Sequence, residues 1–172
     1  LAVLRPKKPI AIFSFRERNK KLFELKDKRK GLKEKPLMLA MCYGSDARNF
    51  IASNSLGEII VYDTKAYLPQ AYIKCSAPAT ALALSSNNYF IASAVGKNIV
   101  IWNFQTKEQR TSIPMPATVK EVAFSTDASL LAATTDDNRL TIIDTKNWEK
   151  VDIFDKLGGK LTSPSFHPEG KY

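Results

Sequence analysis

Phe90-Ile91-Ala92-Ser93-Ala94-Val95-Gly96-Lys97-Asn98-Ile99-Val100-Ile101-Trp102-Asn103 holds two short apolar runs separated by a polar, glycine-containing turn. Both runs are rich in β-branched and aromatic residues and too short for a buried helix, so each reads as a strand. The stretch recurs at a spacing of 40 residues. Phe50-Ile51-Ala52-Ser53 and Leu130-Leu131-Ala132-Ala133 repeat its first run, and Glu58–Asp63 and Arg139–Asp144 repeat its second. The second run ends each time in a large residue followed by an acid or amide: Tyr62-Asp63, Trp102-Asn103, Ile143-Asp144.

Working outward, a third run follows each pair, at Ala71-Tyr72-Ile73, Arg110–Ile113 and Lys150–Phe154. Another precedes each pair, at Leu37–Tyr43, Thr80–Leu84 and Val119–Phe124, with turns such as Ser85-Ser86-Asn87-Asn88 and Ser125-Thr126-Asp127 after it. Each 40-residue unit therefore holds four short strands, and an internal period of this size marks a repeat architecture. The pattern extends to both ends of the chain. Leu161–Phe166 reads as a first strand, with His167-Pro168-Glu169-Gly170-Lys171-Tyr172 as the turn after it. Leu1–Leu4, Ile10–Ser14 and Leu22–Leu25 supply strands two to four. The expected blades are 37–76, 77–116, 117–158 and a shared one made of 161–172 plus 1–30. In that reading Leu161–Phe166 pairs beside Leu1–Leu4, within one chain, between two chains of an eight-bladed ring, or not at all if the chain is a piece of a longer protein.

A four-stranded unit of this length, with F-S-x-D or F-H-P-E-G-K-Y in its first turn, resembles a WD40-type β-propeller repeat, and the resemblance covers essentially the whole chain. It is a divergent match: no Gly-His dipeptide precedes the first strands and no Trp-Asp pair is literal. The resemblance implies an all-β propeller of about four blades, or part of a larger ring, forming one domain over 1–172. It also implies a non-catalytic role as a protein-interaction scaffold, with loops and a central opening presented to a partner protein. Alternatives are a propeller-type hydrolase or lactonase, and a binder of nucleic acid or an anionic lipid surface. Physical reasoning agrees with the architecture. A lone four-stranded sheet exposes two apolar faces and an unpaired edge, and stacking sheets around an axis buries both faces. Lys74, Arg110, Lys150 and Asp152 on the outer strands discourage edge-to-edge association.

Composition narrows the chemistry. Of the 172 residues 44% are hydrophobic and 25% charged, enough apolar content for a packed core. One histidine and two cysteines cannot supply a Cys/His zinc site, and no Gly-rich phosphate loop, H-E-x-x-H or G-x-S-x-G occurs. We expect no cofactor, no metal and no catalytic residue. No apolar run approaches the roughly 20 residues of a membrane-spanning helix. A soluble chain is expected, with its compartment left open: cytoplasmic, or periplasmic or secreted if a signal peptide has been removed.

Charge is uneven. Arg5 to Pro36 carries 13 Lys/Arg against 4 Asp/Glu, whereas Leu37 to Tyr172 carries 13 of each. The basic segment includes Arg16, Arg18, Lys20, Lys21, Lys26, Lys28, Arg29, Lys30, Lys33 and Lys35. It reads either as a solvated hairpin and inter-blade loop or as a patch for an anionic partner. Glu17 to Lys30 has a helix-favouring composition, but the repeat phase assigns a strand there. Asp63, Asn103 and Asp144 recur in phase, which marks structural turn positions. Trp102, Tyr62 and Phe124 are expected between blades, Cys42 and Cys75 as two lone buried thiols, and His167 in a surface turn.

Overall fold

The computed structural model describes residues 2–5, 8–14, 20–25, 36–66, 68–155 and 157–169; for the first three segments it gives the course and pairing of the strands. Fifteen strands and no helix are present among these residues. They run β1 (Ala2–Arg5), β2 (Lys8–Ser14), β3 (Lys20–Leu25), β4 (Met38–Tyr43), β5 (Asn49–Asn54), β6 (Glu58–Asp63), β7 (Pro69–Lys74), β8 (Ala81–Leu84), β9 (Phe90–Val95), β10 (Asn98–Asn103), β11 (Gln109–Pro114), β12 (Val119–Phe124), β13 (Leu130–Thr135), β14 (Leu140–Asp144) and β15 (Lys150–Phe154). Pairing is antiparallel and strictly sequential, giving three four-stranded sheets, β4–β7, β8–β11 and β12–β15, and a three-stranded sheet β1–β3. The strand assigned by phase inside the basic segment is β3.

The backbone repeats in detail. A register shift falls between Val61 and Tyr62, Ile101 and Trp102, and Ile142 and Ile143, where the third strand of each sheet meets its fourth. The same shift lies between Ile12 and Phe13, so β1–β3 is a further copy of the unit, consisting of its second to fourth strands. A bulge at this place sharpens the twist before the chain turns.

Pairing also corrects the uniform spacing of 40. Asp63, Asn103 and Asp144 stand opposite Asn49, Phe90 and Leu130. The structural equivalents in the second strand are thus 41 and then 40 residues apart. Phe50 corresponds to Ile91 and Leu131, not to Phe90 and Leu130. One residue matters because side chains alternate between faces, so a slip of one exchanges the two sides of a sheet.

Strands alternate strictly. On β5 and β6, Phe50, Ala52, Ile60 and Tyr62 form a cluster on one face with Met38 and Met41 beside it. Ile51, Ile59, Val61 and Ile73 point the other way and meet Leu82, Ile91, Val100 and Trp102 of the following sheet. That sheet's opposite face, with Ala92, Ile99, Ile101 and Ile113, meets Val122, Leu131, Ala133 and Ile143 of the next. The innermost strands carry the stacking: β4 lies against β8 and β8 against β12, while β1, the second strand of its copy, lies against β4. The largest enclosed side chains, such as Ile99, Ile101 and Leu131, are fully buried. Each stabilises the fold by about 1.5–3 kcal/mol relative to exposure. This is the stacked-blade architecture of a propeller; Trp102 and Phe124 sit between sheets as expected, and Tyr62 is buried in a cluster formed within β4–β7.

One expected strand is not formed. Leu161–Phe166 runs as irregular chain and pairs with no strand, and the sheet β1–β3 has three strands among the described residues. Pro164 lacks an N–H for a ladder and holds Ser163 away from freely adjustable backbone angles. The segment is held by side chains instead. Leu161 N–H donates to Asn138 Oδ1 at 3.4 Å, and Thr134 Oγ1–H to the Thr162 carbonyl at 3.1 Å. Leu1 and Tyr172, whose separation distinguishes the one-chain from the two-chain form of the shared blade, lie outside the described residues.

Candidate functional site

Polar side chains in the repeat are spent on its turns. Asp63 Oδ1 accepts the N–H groups of Lys65 and Ala66, both at 2.8 Å. Asn103 Oδ1 does the same for Gln105 and Thr106, and Asp144 Oδ1 for Lys146. A short carboxylate or amide that reaches two or three residues ahead closes an Asx turn. The first turn is built on a hydroxyl: Ser85 Oγ accepts from Phe90 N–H at 2.9 Å, and Ser125 Oγ from Leu130 N–H at 3.0 Å. Hydrogen bonds from Ser125 and Ser129 hold the Asp127 carboxyl at about 2. These residues are structural in phase and in contact, which is why they recur.

Other candidates from the sequence fall in unremarkable places. His167 is exposed in a turn, and its Nδ1 accepts the Glu169 N–H at 3.2 Å. Cys42 and Cys75 are free thiols, half-buried at the edge of the core between β4–β7 and β8–β11. Burial pushes Cys42 up to about 12, against a weaker opposing hydrogen bond with the Leu84 backbone, and Cys75 up to about 11. Neither is a thiolate at neutral pH. Among the described residues no three metal-ligating side chains gather. Of the basic segment, Lys20 and Lys21 begin β3. Arg16, Arg18, Lys26, Lys28, Arg29, Lys30, Lys33 and Lys35 lie outside the described residues.

What the structure does bring together is a groove of about 470 Å³ where successive innermost strands begin. Thr80 stands before β8, Thr118 to Glu121 open β12, and Lys160 to Ser163 form the far wall. Each wall is tied to the hairpin behind it. Thr80 N–H donates to Ala94 O, Val119 N–H to Gly96 O, and Asp136 N–H to Thr118 O, all at 2.9 Å. Thr118 N–H returns a bond to Asp136 Oδ1 at 3.1 Å. Thr80, Thr118, Thr162 and Ser163 line the groove together with Val119, Leu161, two lysines and Glu121; its surface is mostly apolar, and burial raises the Glu121 carboxyl above its ordinary value. Such a lining, apolar with a few polar groups, suits an extended peptide segment and carries no nucleophile paired with a base. Sequence reasoning did not single these residues out. The signal was present in their phase, since Thr80, Lys120 and Thr162 open three successive innermost segments.

Comparison with known proteins places the fold. No protein-family model matches the chain, and no curated protein matches it. Among solved structures, it is similar to that of U3-55K and to the WD40 repeats of RRP9, each with a TM-score of 0.68 at 16% identity over 73% of this chain. It is also similar to the hydrazine synthase of Kuenenia stuttgartiensis, with a TM-score of 0.74 at 16% identity over 84% of this chain. The chain spans 41% of the length of the first two and 44% of the third. The chain has a WD40-like propeller fold.

Proposed function

We propose that this chain is a non-catalytic propeller scaffold that binds a partner protein, and that the groove between Thr80, Thr118–Glu121 and Lys160–Ser163 is where the partner docks. The observation that carries the reading is the distribution of polar chemistry. Asp63, Asn103, Asp144, Ser85 and Ser125 are committed to turns, whereas the groove gathers hydroxyl-bearing residues and both signs of charge at the starts of β8 and β12 and on the irregular segment after β15. Rigid elements presenting adaptable polar groups bind an extended segment at low entropic cost.

The test compares affinity capture by the wild-type chain with capture by a Lys120→Glu/Lys160→Glu variant. A reproducible partner retained by the first and released by the second is the expected result. Turnover of a panel of esters and lactones, abolished by the same variant, would replace the scaffold with a propeller hydrolase.

A second reading rests on the basic segment, whose excess of nine positive charges between Arg5 and Pro36 accounts for the whole net charge of +9. It is a surface for nucleic acid or an anionic lipid membrane. Changing Lys28, Arg29 and Lys30 to Glu then weakens binding and flattens its salt dependence. Binding unchanged by those substitutions across a salt series leaves only a solubilising role.

A further inference from the structure

One place on the innermost strand breaks the pattern of the repeat. Ala40 of β4 stands opposite Ser53, Ala81 of β8 opposite Ala94, and Glu121 of β12 opposite Thr134. These partners are equivalent, because each lies four residues after the one that faces Asp63, Asn103 or Asp144. Ala40 packs against the core between β4–β7 and β8–β11, and Ala81 is buried in the core between β8–β11 and β12–β15. Two sheets therefore put a small apolar side chain where the third puts a carboxylate. A charge at a position suited to alanine costs stability, and such departures mark places kept for another purpose.

The groove is where Glu121 points. Opposed residues of paired strands share a face, so its side chain lies on the side where Thr134 Oγ1–H holds the Thr162 carbonyl at 3.1 Å. Glu121 and Thr162 line the same opening. Among the described residues no hydrogen bond or ion pair reaches the Glu121 carboxylate, and Lys120 and Lys160, which also line the groove, both stay beyond ion-pair distance of it. Half-burial without a partner holds its carboxyl above the ordinary value. Three charges thus border one groove, and none of them satisfies another.

We propose that the groove recognises an extended peptide through a basic residue that pairs with Glu121 and an acidic neighbour that meets Lys120 and Lys160. The proposal rests on the scaffold reading above and gives its partner a chemistry. Charge complementarity sets the occupant. A ligand cation supplies the partner that Glu121 lacks, whereas a purely acidic ligand leaves it unpaired and brings a second negative charge beside it. Lys160 is exposed on the irregular segment and Glu121 is fixed by the register of β12, so the carboxylate is the pre-positioned group of the two. Neighbouring residues of an extended chain are about 3.3 Å apart along its axis, close enough for adjacent basic and acidic side chains to meet both signs in one opening. Val119 and Leu161 offer apolar surface to the rest of the segment.

The test presents the immobilised 172-residue chain with three pools of end-capped hexapeptides, randomised except for a central arginine, citrulline or glutamate, and reads enrichment by mass spectrometry. Arginine-centred peptides are expected to exceed citrulline-centred ones by about tenfold or more, the ratio a charge-assisted hydrogen bond supplies. Those retained carry Asp or Glu beside the arginine, a bias that Lys120→Gln/Lys160→Gln removes. The arginine preference disappears in Glu121→Ala and in Glu121→Gln, and persists in Glu108→Ala, whose carboxylate is exposed on the turn after β10. Because Glu121→Ala gives the third sheet the residue of the other two, its melting temperature is no lower than that of the wild type. Equal enrichment of arginine and citrulline, a preference for glutamate, arginine enriched without an acidic neighbour, or an arginine preference that survives loss of the carboxylate overturns the proposal and leaves the scaffold reading standing. A lowered melting temperature in both Glu121 variants makes the carboxylate structural and overturns it too. Failure of the wild type to enrich any pool overturns the groove as a docking site, and the proposal with it.

Discussion

The Trp102 indole Nε1–H donates to the Ser93 hydroxyl at 2.9 Å, and that hydroxyl donates onward to the Val100 carbonyl at 3.0 Å. All three groups are buried between two sheets. The chain so formed lets the large residue before Asn103 enter an apolar interface with its one polar atom satisfied. Ser93→Ala strands the indole N–H and should cost about 1–3 kcal/mol in urea unfolding. A Ser93→Ala/Trp102→Phe double variant should lose less than the sum of its single variants, because neither leaves the other unpaired.

Depth in the stack sets the cost of truncation. Ile101 is fully buried in the core cluster between β8–β11 and β12–β15, and Leu68 is 54% exposed. Ile101→Ala should lower stability by about 2–5 kcal/mol through lost transfer energy and a residual cavity. Leu68→Ala should stay within about 0.5 kcal/mol of wild type on the same denaturation curves.

Asp127 is expected to make acid stability depend on its turn. Its carboxyl is held at about 2 by the Ser125 hydroxyl first and then by Ser129, below the ordinary 3.8. A depressed folded value contributes stability that is complete above the ordinary value and is lost as pH falls toward about 2. The difference in unfolding free energy between wild type and Asp127→Ala should therefore shrink over that interval. Solvent exposure of the carboxyl keeps the pH-dependent part small.

The turn between the first two strands of each sheet places Ala47, Asn88 and Ala128 in the left-handed region, at φ of 54°, 55° and 60°. An alanine there is strained, and an asparagine or glycine is not. Ala47 is exposed, so Ala47→Asn or Ala47→Gly should stabilise the protein by up to about 1 kcal/mol, read as a raised melting temperature. Asn88→Ala should act in the opposite direction.

Native thiols should be slow. With Cys42 at about 12 and Cys75 at about 11, both raised by burial, the folded chain should react with a disulfide reagent at pH 8 far more slowly than the urea-unfolded chain does. Equal rates in the two states would place the thiols in solvent.

Strand identity, sheet order and turn chemistry were legible in the residues because they are local. Alternating β-branched runs, the Asp63, Asn103 and Asp144 side chains, and the Ser85 and Ser125 hydroxyls act within a few positions of themselves, so a period near 40 exposes them. The same locality placed β3 inside the basic segment, against a helix-favouring composition. Tertiary structure decided the rest. Phe50 and Phe90 look equivalent in sequence, yet pairing sets Phe50 with Ile91, because register is chosen by which face finds a neighbouring sheet to bury it. Leu161–Phe166 carries the pattern of a strand and is not one, since a strand exists only when a neighbour accepts its backbone. Thr80, Lys120 and Thr162 form a groove only through stacking, which brings residues 40 and 42 positions apart to one opening. Short-range hydrogen bonds and alternation are written along the chain; burial and adjacency depend on what lies across from it.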